Sequence, residues 1–175
     1  WADRLSINLE LPTQDSLKAY APEKDSASIT NAMGQMGERI AESREEKSRH
    51  ARKFAPAGQS TQVIIGADAT NDADMLATSA RLYNSYALSR VYYSAFSPSP
   101  EASSALPAKP PPLQRENRLY QADWLFRYYG FAVDEIASGG EGGMLDLEVD
   151  PKLAWALKNR DRFPVDVNMA DREAL

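Results

Sequence analysis

The chain contains no cysteine. That absence excludes disulfides, thiolate metal sites and a cysteine nucleophile, and it removes any iron–sulfur ligand set from these residues, because such clusters are held by thiolates. Histidine is almost as scarce. His50 stands alone, so no pair of imidazoles is available to hold a metal. Long apolar runs are missing too: none approaches the roughly 20 residues needed to cross a bilayer, and no signal peptide is evident. The expectation is a soluble, cytoplasmic chain without a membrane partner. Neither sign of charge dominates, and the net charge of -5 speaks against indiscriminate nucleic-acid binding while leaving room for a local basic patch.

What is present suffices for a sizeable core: 175 residues, 43% of them hydrophobic. The segment ADRLSINLELP reads as a strand over residues 4–11. Leu5, Ile7, Leu9 and Leu11 fall on one face and Ser6, Asn8 and Glu10 on the other, because strand side chains alternate. An exposed antiparallel strand would show the same alternation. Two further strands follow, STQVIIGA over residues 60–67 and RVYYSAF over residues 90–96, each reached through a helical stretch. The order βαβαβ with right-handed crossovers predicts three parallel, adjacent strands, as in a doubly wound sheet or in one sector of a β/α barrel. Parallel sheets are normally apolar on both faces, so a row of Ser, Asn and Glu suggests a barrel lumen that holds something polar.

Thr13 is placed to cap a short helix through Tyr20 that Pro22 ends, and Asp25 or Ser26 starts a longer one carrying Ile29, Met33, Met36 and Ile40. Its charged continuation, ESREEKSRHARK, reads as a solvated helix end with pairs such as Glu45 and Arg49. The alternative is a phosphate-contacting patch of Arg44, Lys47, Arg49, Arg52 and Lys53, diluted by three glutamates. Thr70 or Asn71 caps the next helix, with Met75, Leu76, Ala80 and Tyr83 on its apolar face. Residues 97–112 hold six prolines and read as an extended connector. Beyond it come a helix over residues 115–129 with Gly130 at its C-cap, a flexible turn around Gly140, and a helix with Pro151 in its first turn. Asn168, with Asp171 three residues on, resembles the start of one more helix. Opening on a strand and stopping in that helix, the sequence reads as an excerpt of a longer chain.

Eight stretches, in order, carry a resemblance: ADRLSINLELP, APEKD, KFAPAGQSTQVIIGA, RVYYSAFSP, KPPPL, RLYQADWLFRYYGF, DPKLAWAL and FPVDVNMADREAL. Together they resemble the radical S-adenosylmethionine proteins assigned to DNA modification or repair and linked to uracil-DNA glycosylase. The resemblance implies an α/β fold: residues 1–98 as the second half of a (β/α)6 partial TIM-type barrel, residues 99–163 as a proline-rich connector and helical extension packed on it, and residues 164–175 as the truncated start of a helix-hairpin-helix. The family's CxxxCxxC motif would lie upstream of Trp1. The implied cofactors are therefore S-adenosylmethionine and a [4Fe–4S] cluster bound by the missing part, with no metal ligand and no catalytic residue in this segment. DNA is the implied partner.

Within that family the fourth strand carries an N-x-D or N-x-E pair for the cofactor ribose, which Asn8 and Glu10 resemble. Two residues span about 7 Å of strand, so both would reach different parts of one ligand. A carboxylate accepts hydroxyl hydrogen bonds and an amide both donates and accepts, which suits ribose hydroxyls. The same polar row also fits a wet edge-strand face. Ser6 lies deeper on that face, where it is either a ligand contact or a satisfied core hydroxyl. Lys24 follows the strand and would neutralise the cofactor carboxylate, or is a surface lysine. QVIIGAD loosely resembles the family's glycine–isoleucine–glycine strand, with Gly66 allowing close backbone approach to adenine. Gln62 replaces its first glycine and Ala69 its acidic residue. Phe96 closes the third strand, where the resemblance places backbone or ring contact with adenine, while core packing is the competing explanation for Tyr92 and Tyr93 on that strand. The polar stripe Arg115, Arg118, Gln121 and Arg127 belongs either to a helix packed on the barrel flank or to one that faces phosphates. Three functions follow: an enzyme acting on a nucleic acid or modified nucleotide; a noncatalytic nucleic-acid-binding module with the half-barrel as scaffold; and an ordinary α/β hydrolase or lyase, for which no Ser–His–acid set exists.

Overall fold

The computed structural model describes residues 2–46, 52–101, 103–137, 140–162 and 165–172. Three strands, β1 (Leu5–Ser6), β2 (Gln59–Ile65) and β3 (Arg90–Ala95), form one parallel sheet in the order β1-β2-β3. Between β1 and β2 run α1 (Gln14–Tyr20) and α2 (Ser26–Glu45), and between β2 and β3 runs α3 (Asp72–Tyr86). After β3 come α4 (Leu113–Tyr128), the short α5 (Val133–Ala137) and α6 (Pro151–Lys158). The mixed α/β organisation and the parallel sheet are those expected.

Four of the helices, α1, α2, α3 and α6, start at a capping side chain. Thr13 accepts a hydrogen bond from the Ser16 amide at 3.1 Å, Asp25 from Ser28 at 2.8 Å and Asn71 from Asp74 at 2.8 Å; Asp150 accepts from Lys152 and Leu153, both at 3.1 Å. These bonds satisfy amides that the first helical turn leaves without partners. α2 stops by a different device: the Lys53 ammonium donates to the carbonyls of Ser43, Arg44 and Glu46, at 2.8, 3.4 and 2.6 Å. Lys53 therefore closes a helix end rather than extending a phosphate patch, while Lys47, Arg49 and His50 lie outside the described residues.

One face of the sheet is buried under α2, α3 and α4. Leu9, Val63, Ile65, Val91 and Tyr93 meet Met33, Met75, Leu76, Leu82, Leu119, Ala122 and Leu125 in one cluster, which also takes in Ile136 and Leu145. Full burial of such an aliphatic side chain contributes about 1.5–3 kcal/mol. The core is thus continuous across the proline-rich stretch. Two consecutive right-handed crossovers running in the same direction place α2 and α3 on the same side. The opposite face carries Ser6, Ser60, Gln62, Ile64, Tyr92 and Ser94, with the Arg4 guanidinium reaching from just before β1 to the Tyr92 hydroxyl at 3.0 Å.

The first strand departs from the alternation predicted over residues 4–11. Regular pairing covers only Leu5–Ser6, opposite Gln59 and Ser60; it resumes as a single bridge between Glu10 and Val63. The Ile7 amide bonds the Ser60 carbonyl and the Glu10 amide the Gln62 carbonyl, so the first strand spends one more residue than β2 over the same span. That is a bulge. The Thr61 hydroxyl takes the displaced Leu9 amide at 2.9 Å. Glu10 has φ of +68° and lies at the centre of a γ-turn closed by the Leu11 amide on the Leu9 carbonyl, a rare and strained arrangement. The bulge reverses the phase: Leu9 packs into the core beneath the sheet, and Leu11 packs on the opposite side with Leu17 and Ala67, beside Ile64 and Phe96.

At the far end of the chain, the helix expected from Asn168 is not formed within residues 165–172, which hold turns. The Asp166 carboxylate accepts from the Asn168 amide at 2.9 Å, so Asp166 organises this segment instead. No helix among the described residues is long and apolar enough to cross a membrane.

Candidate functional site

In a parallel α/β sheet, ligands gather at the carboxyl ends of the strands. Here that rim contains a pocket of about 240 Å³, lined by Glu10, Lys24, Tyr20, Ile64, Phe96 and Leu106 among others. Its charged wall is a single ion pair. The Lys24 ammonium lies 2.9 Å from Glu10 Oε1, with the side chains 35% and 22% exposed, so both charges remain partly open to a ligand. Chain geometry makes the pair possible. The γ-turn turns Glu10 out of the strand, and the α1 helix returns the chain so that Lys24, bonded through its amide to the Ala21 carbonyl, stands opposite. Leu17 of α1 is fully buried against Leu11 and Ala67, which fixes the helix over the rim.

The structure thus brings together three of the residues singled out in the sequence: Glu10, Lys24 and Phe96. Ser6 and Asn8 share a face, as the alternation required, but they bond each other, with the Ser6 hydroxyl donating to Asn8 Oδ1 at 2.8 Å. Neither lines the rim pocket. Gly66 has φ of +78°, which explains the glycine, yet the space beside it is filled. A Cβ there would meet Pro111 Cγ at 2.7 Å, so the proline ring occupies the approach that adenine was expected to use. Tyr20 and Leu106 were missed by the sequence reading. Leu106 carried a signal, being the one leucine within the proline-rich residues 97–112.

Beside the pocket, Asp68 accepts hydrogen bonds from the Ser16 hydroxyl and from both the amide and the hydroxyl of Thr70, tying the α1 segment to the loop after β2. At the start of α3, fully buried Asp72 accepts from Arg115 Nε at 2.7 Å and from the Leu145 amide at 2.9 Å, while Arg115 Nη2 bonds the Thr70 carbonyl at 2.7 Å. Arg115 is therefore a buried clamp. Arg118 bonds Gln121 and the Leu147 carbonyl, and Arg127 bonds Asp123 and the Ser89 carbonyl. These arginines of α4 are engaged in bonds within the fold.

A second polar network lies beneath the sheet. The Tyr83 hydroxyl donates to Asp123 Oδ1 at 2.8 Å, and the Tyr93 hydroxyl donates to Ser79 Oγ at 2.9 Å and lies 3.3 Å from the same carboxylate oxygen. Burial raises the Asp123 carboxyl above its ordinary range, against the opposing bonds from Tyr83 and Arg127. Burial, reinforced by the Asp123 charge, also raises both tyrosine hydroxyls. Comparison of the chain with protein-family models, with curated proteins and with solved structures found no match.

Proposed function

We propose that this chain forms the second half of a (β/α)6 partial barrel that holds S-adenosylmethionine at the carboxyl ends of its strands, in a radical enzyme acting on nucleic acid. The observation that carries the reading is Glu10: a carboxylate held in a strained γ-turn, ion-paired to Lys24, at the rim where Phe96 ends β3. Strained backbone at a ligand-facing position supports a functional role. The polar residues on that face of the sheet, away from the carboxyl end that Leu17 of α1 covers, suit a lumen better than a layer packed wholly under helices. The resemblance in the sequence supplies nucleic acid as the substrate.

The rim residues fit the cofactor in chemical kind. Glu10 would accept hydrogen bonds from ribose hydroxyls, Lys24 would face the carboxylate, and the Phe96 ring would border adenine. Asn8 would join them only by giving up Ser6, and Gly66 is unavailable because Pro111 covers it. Bound S-adenosylmethionine supplies the family's radical chemistry when it receives an electron from a cluster, which a chain without cysteine would not itself ligate. This chain's part is to bind, to orient and to exclude water.

Calorimetric titration of S-adenosylmethionine tests the reading. Glu10→Gln and Lys24→Met should each weaken binding roughly 10- to 150-fold, the worth of a charged hydrogen bond of about 1.5–3 kcal/mol. Titrations identical for wild type and both variants would overturn it.

A further inference from the structure

A larger pocket lies away from the rim, beyond the outer edge of β3. It holds about 370 Å³ between α4 and the start of α6, and its walls include Tyr120, Trp124 and Tyr129, with Gln121, Asp150 and Lys152 supplying polar atoms. We propose that this pocket binds the purine base of a nucleotide, stacked among the aromatic rings, with its phosphate side toward Lys152. The inference does not rest on the rim site, which shares none of these residues.

Three features carry it. The first is a set of aromatic rings left open on one wall: Trp124, whose ring leans on Tyr128 at 4.5 Å, is 49% exposed and Tyr129 is 59% exposed. Nucleobases stack on such rings. The second is rigidity. The Tyr120 hydroxyl both accepts from the Tyr93 amide and donates to the Tyr93 carbonyl, each at 3.0 Å, and its ring meets the Tyr93 ring edge-on at 5.2 Å. This wall is set before a ligand arrives, so little ordering entropy opposes binding. The third is the polar complement. Asp150 uses Oδ1 to cap α6, which leaves Oδ2 to accept a base N–H, and Gln121 Oε1 receives Arg118, which leaves its amide nitrogen to donate. Lys152 stands with its ammonium 5.4 Å from the Tyr129 ring centre and forms no salt bridge among the described residues. An acceptor and a donor beside stacked rings, with a cation at the margin, match the edge, face and phosphate of a purine nucleotide. A purely apolar ligand would leave all three polar groups unmatched. The volume falls within the range of about 300–1,000 Å³ usual for such ligands.

The same base could come from a free nucleotide or from a single strand. Tryptophan fluorescence and calorimetry with AMP, GMP, UMP and a short oligodeoxyadenylate distinguish them. Saturable quenching by the purine mononucleotides, weaker with UMP, supports the site and assigns a free nucleotide. Saturation only by the oligomer supports it and assigns a single strand. Trp124→Ala, an exposed substitution whose fold is checked by thermal melting, should weaken binding roughly 5- to 150-fold. Lys152→Ala should weaken phosphorylated ligands and spare adenosine. Glu10→Gln should leave this binding unchanged while weakening S-adenosylmethionine, so the two sites succeed or fail separately. No saturable binding, equal affinity in the Trp124 variant, or burial of Trp124 in a self-associated species would overturn the proposal.

Discussion

At the residue scale, the strongest demands come from charges and hydroxyls kept out of water. Asp72 is fully buried and its carboxylate is compensated by Arg115 and by the Leu145 amide. Removing one member of such a pair leaves an uncompensated charge. Arg115→Met should therefore destabilise the chain by about 3–5 kcal/mol in urea unfolding, and Asp72→Asn added to it should restore part of the loss. The tyrosines answer to pH instead. Tyr83 and Tyr93 keep their protons in the folded chain beyond the point at which an unfolded tyrosine, with its ordinary value of 10.0, loses its own. Their contribution is fully present below pH 10 and is lost as pH rises above it, because only the unfolded state then releases protons. Denaturation should accordingly become easier above pH 10, with tyrosinate absorbance from these residues rising together with unfolding. Tyr93→Phe should flatten that dependence, at a cost of about 1–3 kcal/mol at neutral pH from the Ser79 and Asp123 oxygens it abandons. A Tyr93 that ionises in a still-folded protein would contradict the network.

Elements were legible where their signals are local. Thr13 caps its helix as its position implied, Asp25 and Asn71 are the ones that cap of the two candidates offered at each site, and Met33, Ile40, Met75 and Leu76 are buried as helical spacing required. The first strand was legible only in outline. Its alternation is perfect in sequence, but the bulge that reverses its phase depends on Thr61, more than fifty residues away, capturing the Leu9 amide. Spacing along one strand carries no trace of that bond. The same holds for the site: Glu10 and Lys24 were each legible as candidate residues, but their ion pair was not, and Gly66, read as the close backbone approach to adenine, carried no sign that Pro111 of the distant connector would return onto it. Gly66→Ala tests that contact. It would force a side chain into left-handed backbone, costing about 1–2 kcal/mol, and would push against the proline ring as well. A thermal midpoint unchanged by this substitution would show that the connector does not press on β2.

At the scale of the whole molecule, the sheet has two edges of different character. Along β3 the amides that point away from β2 belong to Val91, Tyr93 and Ala95, and each is taken by a side chain: the Tyr83 hydroxyl at 2.8 Å, the Tyr120 hydroxyl at 3.0 Å and Glu116 Oε2 at 3.1 Å. α3 and α4 thus supply, from three side chains, what a neighbouring strand would supply from its backbone, and the edge is closed to further pairing. Along β1 the situation is reversed. The Leu5, Ile7 and Leu9 amides bond toward β2, so the intervening Ser6 and Asn8 amides point to a side where no described strand lies. Hydrogen exchange separates the two edges. Amides of Val91, Tyr93 and Ala95 should exchange slowly despite belonging to an edge strand, and those of Ser6 and Asn8 should exchange fast. Tyr120→Phe should release the Tyr93 amide selectively, because the ring remains while the hydroxyl that served both its donor and its acceptor is gone. Strand addition, wherever it occurs, should then protect Ser6 and Asn8 and leave the β3 amides unchanged. Protection gained at β3 instead would mean that its side-chain caps are displaced by a backbone, and the sheet would have to be read as growing in the opposite direction.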